Sequence, residues 1–228
     1  MSIRIESLSK SFEKNLALKN ISFTANKGDI IGILGPNGAG KSTMMKIITG
    51  YYKQDSGSVF ICEKNTLTNE IFTKKKIGYL SEENPLYLEM YVREFLEFIC
   101  DIYKISYTNC NSIIPLTGLE KVKNKKIKTL SKGFQQRVGI AKSLIHNPEI
   151  IILDEPTSGL DPQQLIEIRK IITNISKEKT ILLSTHIIQE VEAICNRIII
   201  INNGEIIANK KVSEFENKIE DVFLELIK

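Results

Sequence analysis

Gly35-Pro36-Asn37-Gly38-Ala39-Gly40-Lys41-Ser42-Thr43 matches the phosphate-binding pattern G-x-x-x-x-G-K-[ST]. Its flanks are those such a loop requires. Ile30-Ile31-Gly32-Ile33-Leu34 reads as an apolar strand before it, and Met44 to Thr49 as a helix after it. The glycines let the backbone curl until successive N–H groups face one point. The helix adds its positive dipole end at the same place. Lys41 is placed to reach the β- and γ-phosphates of a nucleotide, and the Ser42 hydroxyl to hold Mg²⁺. By itself the loop leaves many nucleotide-using classes open.

Outward from the loop, short β-type runs alternate with helical patterns, which predicts an α/β sheet. Ile3–Leu8, Ile21–Ala25, Ser58–Cys62 and Ile77–Leu80 read as strands, the third following the turn signal Asp55-Ser56-Gly57. Glu149–Leu153 and Thr180–Ser184 are apolar enough to be buried parallel strands. Arg197–Ile201 and Glu205–Ala208 flank Asn202-Asn203-Gly204, a hairpin turn. From Val92 to about Asn147 the spacing becomes helical: Phe95, Phe98, Ile99 and Ile102 share one face, as do Val138, Ala141, Leu144 and Ile145. The spacing thus places an α-helical insert within an α/β core. The expected division is a core of residues 1–84 and 148–228 with a helical subdomain at about 85–147.

The chain has 228 residues, 42% of them hydrophobic and 25% charged, ordinary for a globular domain with a normal core. A net charge of +4 is too small to make nucleic acid the expected partner. Cys62, Cys100, Cys110 and Cys195 are widely spaced, offer no zinc pattern and read as reduced thiols. No run has the apolar length of a membrane span, and the N-terminus lacks a signal-peptide pattern, so the chain is expected to be soluble by itself. Lys121, Lys123, Lys125, Lys126 and Lys128 read as a solvated loop, with a partner-facing patch as the alternative. His146, before Asn147-Pro148, is expected to cap a helix end.

Ile150-Ile151-Ile152-Leu153 ends in Asp154-Glu155. A carboxylate at the end of a buried strand suits the water shell of Mg²⁺, the role expected of Asp154. Its neighbour Glu155 is expected to polarise an attacking water as general base. Asp161-Pro162 opens a helix as N-cap and first helical residue, with Leu165, Ile168, Ile172 and Ile175 as its buried face. The next strand ends at Ser184-Thr185-His186, which puts His186 at the crevice where open α/β sheets bind ligands.

With these pieces in place, the chain resembles the ATP-binding subunits of ABC transporters over essentially its whole length. Leu130-Ser131-Lys132-Gly133-Phe134-Gln135-Gln136-Arg137 looks like the family's LSGGQ signature and its tail. The other motifs stand in family order: Walker A at Gly35–Thr43, Walker B at Ile150–Glu155, the D-loop at Ser158–Asp161 and the switch histidine at His186. Phe12 matches the aromatic that stacks on adenine. The resemblance implies a P-loop NTPase core with an N-terminal antiparallel β subdomain and an inserted α-helical subdomain. It also implies an ATPase in which two cassettes pair head to tail, a homodimer or a pair with a paralogue, with two ATP molecules between them. Ser131, Lys132, Gly133 and Phe134 then approach the γ-phosphate of the opposite subunit, with Asp161 in the D-loop. Multi-span membrane permease subunits couple the cycle to transport, at the cytoplasmic face of the membrane.

Two departures stand out. Glu82, in Ser81-Glu82-Glu83-Asn84-Pro85, occupies the place of the family's usual Gln, and is expected to serve both as metal ligand and in hydrolysis. Lys132 and Phe134 replace the usual Gly and Gln of the signature. Both, with Asn84-Pro85-Leu86-Tyr87, resemble ABC-2-type exporter ATPases of the multidrug and gliding-motility kind. Against this stand a soluble ABC protein of the ribosome or nucleic acid, which usually carries two cassettes, and a P-loop kinase or switch, which lacks the signature and the histidine.

Overall fold

Asn15–Ala25 (β2) folds back on Ile3–Phe12 (β1), and Ser56–Ile61 (β4) pairs with β1 on its other side, all antiparallel. The computed structural model describes residues 1–13, 15–215 and 218–226. A second sheet holds Ile30–Leu34 (β3), which leads into Lys41–Ile48 (α1). The short strand Lys64–Asn65 (β5) completes the first sheet, and Glu70–Lys76 (α2) leads to Ile77–Leu80 (β6). Three helices follow: Val92–Tyr103 (α3), Thr108–Leu116 (α4) and Lys132–Leu144 (α5). Ile150–Asp154 (β7), Pro162–Ser176 (α6), Thr180–Thr185 (β8), Ile188–Ile194 (α7), Arg197–Asn202 (β9), Glu205–Lys211 (β10) and Ile219–Leu226 (α8) complete the chain.

The strand orders are β2-β1-β4-β5 and β10-β9-β3-β8-β7-β6. In the larger sheet all neighbours are parallel except β10, which returns antiparallel through the Asn203-Gly204 turn. Both turn residues have positive φ, 47° and 79°, the geometry a two-residue hairpin favours. The period of two along each strand sorts the apolar side chains into two cores. Ile31, Ile33, Ile150 and Ile152 meet α1 and the antiparallel sheet. Ile30, Leu34, Ile151 and Leu153 meet the helices on the other face. Strands β3, β7 and β8 are therefore buried throughout, as their unbroken apolar runs require.

Several expectations need correction. β1 and β2 extend well beyond Leu8 and Ile21, because bulges between Ile5, Leu8 and Lys10 interrupt the alternation by which strands are read. Ser56-Gly57 lies inside β4 rather than in a turn: a Cβ on Gly57, at φ 83°, would come within 2.3 Å of the Ser7 carbonyl oxygen. The hairpin to β5 turns on Cys62 and Glu63 at φ 47° and 63°, residues that carry no turn signal. On α3 the buried stripe is Val92, Phe95, Leu96, Ile99 and Cys100, whereas Ile102 is 58% exposed. His146 does not cap α5. Its Nε2 lies 3.0 Å from the Ile77 carbonyl oxygen and its ring stacks at 4.1 Å on Tyr103. Burial pushes its pKa down, which suits a neutral structural ring. In the basic segment Lys123 pairs with Glu120, and Lys126 and Lys128 with Glu89, as a solvated loop would.

Helices α6 and α7 are joined by a two-pronged ion pair. Arg169 Nε and Nη2 donate to Glu190 at 3.1 and 2.6 Å, and Glu190 is buried. Replacing the arginine strands a carboxylate away from water. Arg169→Met is expected to destabilise the fold by about 3 to 5 kcal/mol, measured by urea unfolding. A loss below about 1 kcal/mol would show that the pair carries little.

Candidate active site

The loop after β3 is held from both sides. A Cβ on Gly35 would meet the Ile201 carbonyl oxygen at 2.3 Å, and one on Gly40 would meet that of Ala17 at 2.7 Å. Gly40 is the N-cap of α1 at φ 106°, a left-handed conformation that excludes most side chains. The Asn203-Gly204 turn clamps the loop further: Gly204 N–H donates to Ala39 C=O at 3.1 Å, and Lys19 N–H to Gly204 C=O at 2.7 Å. The loop is thus held by contacts from the protein's own backbone.

Lys41 Nζ donates to the carbonyls of Gly35 and Pro36 at 2.7 and 3.1 Å and stands 3.9 Å from Glu155 Oε1. Burial lowers the pKa of its ammonium, and Glu155, Asp154 and Glu82 oppose that shift. The parallel register sets Asp154 at the end of β7 beside Ser184 of β8. Ser184 Oγ donates to Asp154 Oδ1 at 2.5 Å and accepts from Glu155 N–H at 2.9 Å. Ser42 Oγ donates to the same Asp154 oxygen at 3.0 Å. Glu155 takes φ 49°, which turns its side chain out of the strand's alternation, and Oε2 lies 3.0 Å from His186 Nδ1. These groups converge on a cleft of 1020 Å³ lined by Asn37, Gly38, Gly40, Lys41, Ser42, Thr43, Glu82, Glu155 and His186. Phe12 stands at its edge, 39% exposed, with Tyr52 edge-on at 5.3 Å.

The remaining candidates lie elsewhere. Gly35, Pro36 and Ala39 form the back of the loop, with Ala39 buried, and Asp154 is buried at the foot of Ser42. Ser131, Lys132, Gly133, Phe134 and Asp161 do not line this cleft. Ser131 is exposed as the N-cap of α5, its Oγ accepting from Phe134 N–H at 3.5 Å. The Lys132 amine lies over Gly159, where a Cβ would approach it to 2.3 Å. Gly133 is covered by Gln164, and Asp161 caps α6 by accepting from Gln164 N–H at 2.9 Å.

The cleft also takes Ser158, the first residue of the D-loop, and Asn15, Leu16, Ala17, Lys19, Asn203 and Gly204, which no motif pointed to as site residues. Asn203-Gly204 is legible in the sequence only as a turn. Ser184 carried one usable signal, a hydroxyl at the end of an apolar strand.

The oxygen set at the foot of the cleft, the Ser42 hydroxyl and the Asp154 carboxylate with Glu82 in the wall, is of the hard kind that suits Mg²⁺. A single well-buried carboxylate beside a hydroxyl leaves most coordination positions to water and phosphate, as that ion prefers.

Comparison with known proteins points to one family. The model of the ABC transporter family matches residues 18–158. A lantibiotic transport ATP-binding protein, SrtF of Streptococcus pyogenes, is 37% identical over 222 residues, 97% of this chain and 95% of its own. The linearmycin resistance ATP-binding protein LnrL of Bacillus subtilis is 35% identical, covering 90% of this chain and 68% of that one. Among solved structures, an ATP-binding subunit of an ABC transporter superposes with a TM-score of 0.90 at 25% identity, over 100% of both chains. A bacterial ABC transporter cassette solved as a dimer gives 0.83 at 29% identity, over 93% of this chain and 100% of that one. The same cassette has been solved in a post-hydrolysis state bound to ADP and Pi, again with a TM-score of 0.83. Among the described residues no helix is long and apolar enough to cross a membrane. With the family model matched over residues 18–158 and relatives alike along nearly the whole chain, the protein belongs to the ABC transporter family and is an ATP-binding, ATP-hydrolysing subunit of such a transporter.

Proposed function

We propose that this subunit drives an exporter by closing on ATP as half of a two-cassette assembly. One observation carries the reading: Ser131 caps an exposed helix end that does not line the cleft holding Lys41, so the chain carries both halves of a site but not side by side. A second cassette, an identical copy or a paralogue, brings its Ser131 and Gly133 to the γ-phosphate held here. Lys132, Phe134 and the D-loop Asp161 sit on that same approach. The exporter assignment draws on likeness to lantibiotic transport and linearmycin resistance subunits, and points to cargo of the antibiotic class.

Within the cleft, Lys41 and the N–H groups of Asn37, Gly38 and residues 40–43 cradle the phosphates. Phe12 offers a flat face to the base. Ser42, Asp154 and Glu82 would hold Mg²⁺, which when bound would neutralise phosphate charge. Glu155 takes a proton from the attacking water, and His186, bonded to Glu155, orients it and contacts the γ-phosphate. ATP closes the pair and hydrolysis reopens it, a γ-phosphate switch on a two-state interface. Multi-span permease subunits carry the cargo, with this chain at the cytoplasmic membrane face, residues 85–147 acting as a helical subdomain beside the core.

Mixing tests the composite site. Lys41→Ala and Ser131→Arg chains are each inactive alone, but a mixed pair contains one intact site. Mixing is expected to recover ATP hydrolysis; activity no higher than the sum of the two variants would reject the composite reading.

A further inference from the structure

Behind the cleft, a side-chain amide joins three segments that the chemistry uses. Gln136 lies on α5, five residues after Ser131, and is only 8% exposed. Its Nε2 donates to the carbonyl of Pro156 at 2.9 Å, the residue following Glu155. Its Oε1 accepts from Asn84 Nδ2 at 3.3 Å. Asn84 stands two residues after Glu82, and its Nδ2 also donates to the Gln135 carbonyl at 3.0 Å. One amide therefore ties the loop of Glu82, the helix capped by Ser131 and the turn after Glu155.

The surroundings are shaped for these contacts. Asn84 adopts φ 42°, and its backbone N–H closes a turn on the Ser81 carbonyl at 2.9 Å. Asn tolerates this left-handed conformation better than most residues. Gly139 on α5 leaves the room: a Cβ there would meet Asn84 Oδ1 at 2.2 Å and Cγ at 2.6 Å. Glycine inside a helix is unfavourable by itself, so this close approach is what it serves. Besides the Glu155 N–H bond to Ser184 Oγ, the turn after β7 is held by Ser158 N–H to the Glu155 carbonyl at 3.2 Å and Leu160 N–H to the Thr157 carbonyl at 3.3 Å. The Thr157 hydroxyl is buried without a partner among the described residues. Glu155 itself stands at φ 49°, so the direction of its side chain depends on how that turn is held.

We infer that Gln136 and Asn84 are positioning residues for ATP hydrolysis, a buried brace that holds Glu155 and Glu82 at the height set by the signature helix. Neither side chain lines the cleft, so neither meets nucleotide. The Gln136 bond to Pro156 sets the turn that aims Glu155. Asn84 sets the loop that presents Glu82. Because Ser131 caps the same helix, a γ-phosphate seated on the signature also bears on Glu155 of the signature's own chain; this last step rests on the two-cassette reading.

Gln136→Leu keeps the volume and removes both amide bonds, while Asn84→Ala removes one arm from an external loop. Steady-state ATP hydrolysis and binding of a fluorescent ATP analogue are measured for each and for the double variant. The expected result is a fall in kcat of about tenfold to a hundredfold, as misplacement of a reacting group produces. Nucleotide affinity and KM stay within about twofold, and the double variant is no slower than Gln136→Leu, since both act through one brace. Gln136→Asn, with a shorter arm, is expected to recover part of the rate only where Asn84 is intact. An unchanged kcat in Gln136→Leu, or equal losses of affinity and rate, would overturn the proposal. Should Gln136→Leu not fold, an unchanged kcat in Asn84→Ala overturns it equally. None of these readouts needs the mixing experiment to succeed, so failure of the composite site and failure of the brace are told apart.

Discussion

Lys41→Ala is expected to weaken ATP binding by about a hundredfold or more and to abolish hydrolysis at millimolar nucleotide. Each charge-assisted bond from the ammonium to phosphate is worth about 1.5 to 3 kcal/mol, and two such bonds account for that loss. The ammonium is already aimed by the Gly35 and Pro36 carbonyls, so its binding geometry costs little to assume. Alanine also leaves Glu155, 8% exposed, without the cation 3.9 Å away, so uncompensated negative charge faces the incoming phosphate. The scaffold is expected to survive, because α1 is anchored by Met44, Met45 and Ile48 rather than by Lys41. Calorimetric titration with ATP and Mg²⁺ is the measurement, and wild-type affinity would remove Lys41 from the phosphate site.

Glu155→Gln is expected to separate binding from hydrolysis. The amide keeps the size of the carboxylate and a hydrogen bond to His186, but has no capacity to take a proton from water. General-base catalysis contributes about 10² to 10⁴ in rate, so phosphate release at saturating ATP falls by that order. Affinity is not expected to fall, since a negative charge leaves the neighbourhood of the phosphates. With hydrolysis blocked, the ATP-bound two-cassette state accumulates. Size-exclusion chromatography with ATP and Mg²⁺ then shows the mass of two chains. Elution at the single-chain mass under those conditions would count against ATP-driven closure.

Much of this site is legible without coordinates because its chemistry is written locally. The phosphate loop needs glycines, Lys41 and Ser42 in one unbroken stretch, and that stretch is contiguous. The ends of β7 and β8 are visible because a buried parallel strand is apolar throughout and then stops. Elements without such marks escape. α2 buries only Thr73 and leaves Ile71 76% exposed, so it carries no apolar period. α7 has seven residues, too few to show a repeat. The Cys62-Glu63 turn uses a left-handed backbone at residues that seldom adopt it.

By itself, then, the sequence determined the fold class, the phosphate loop, the Asp154-Glu155 pair and the family, because each depends on order and spacing along the chain. The tertiary structure alone decided which groups meet. Ser184 joins Asp154 to the Glu155 backbone, Gly204 ties the loop at Ala39, and Gln136 reaches Pro156. These partners lie many residues apart, and only strand register and helix packing bring them within hydrogen-bond distance. The phosphate loop is therefore complete as a motif in the sequence, whereas its walls and supports exist only once the two sheets and the helices between β6 and β7 have closed around it.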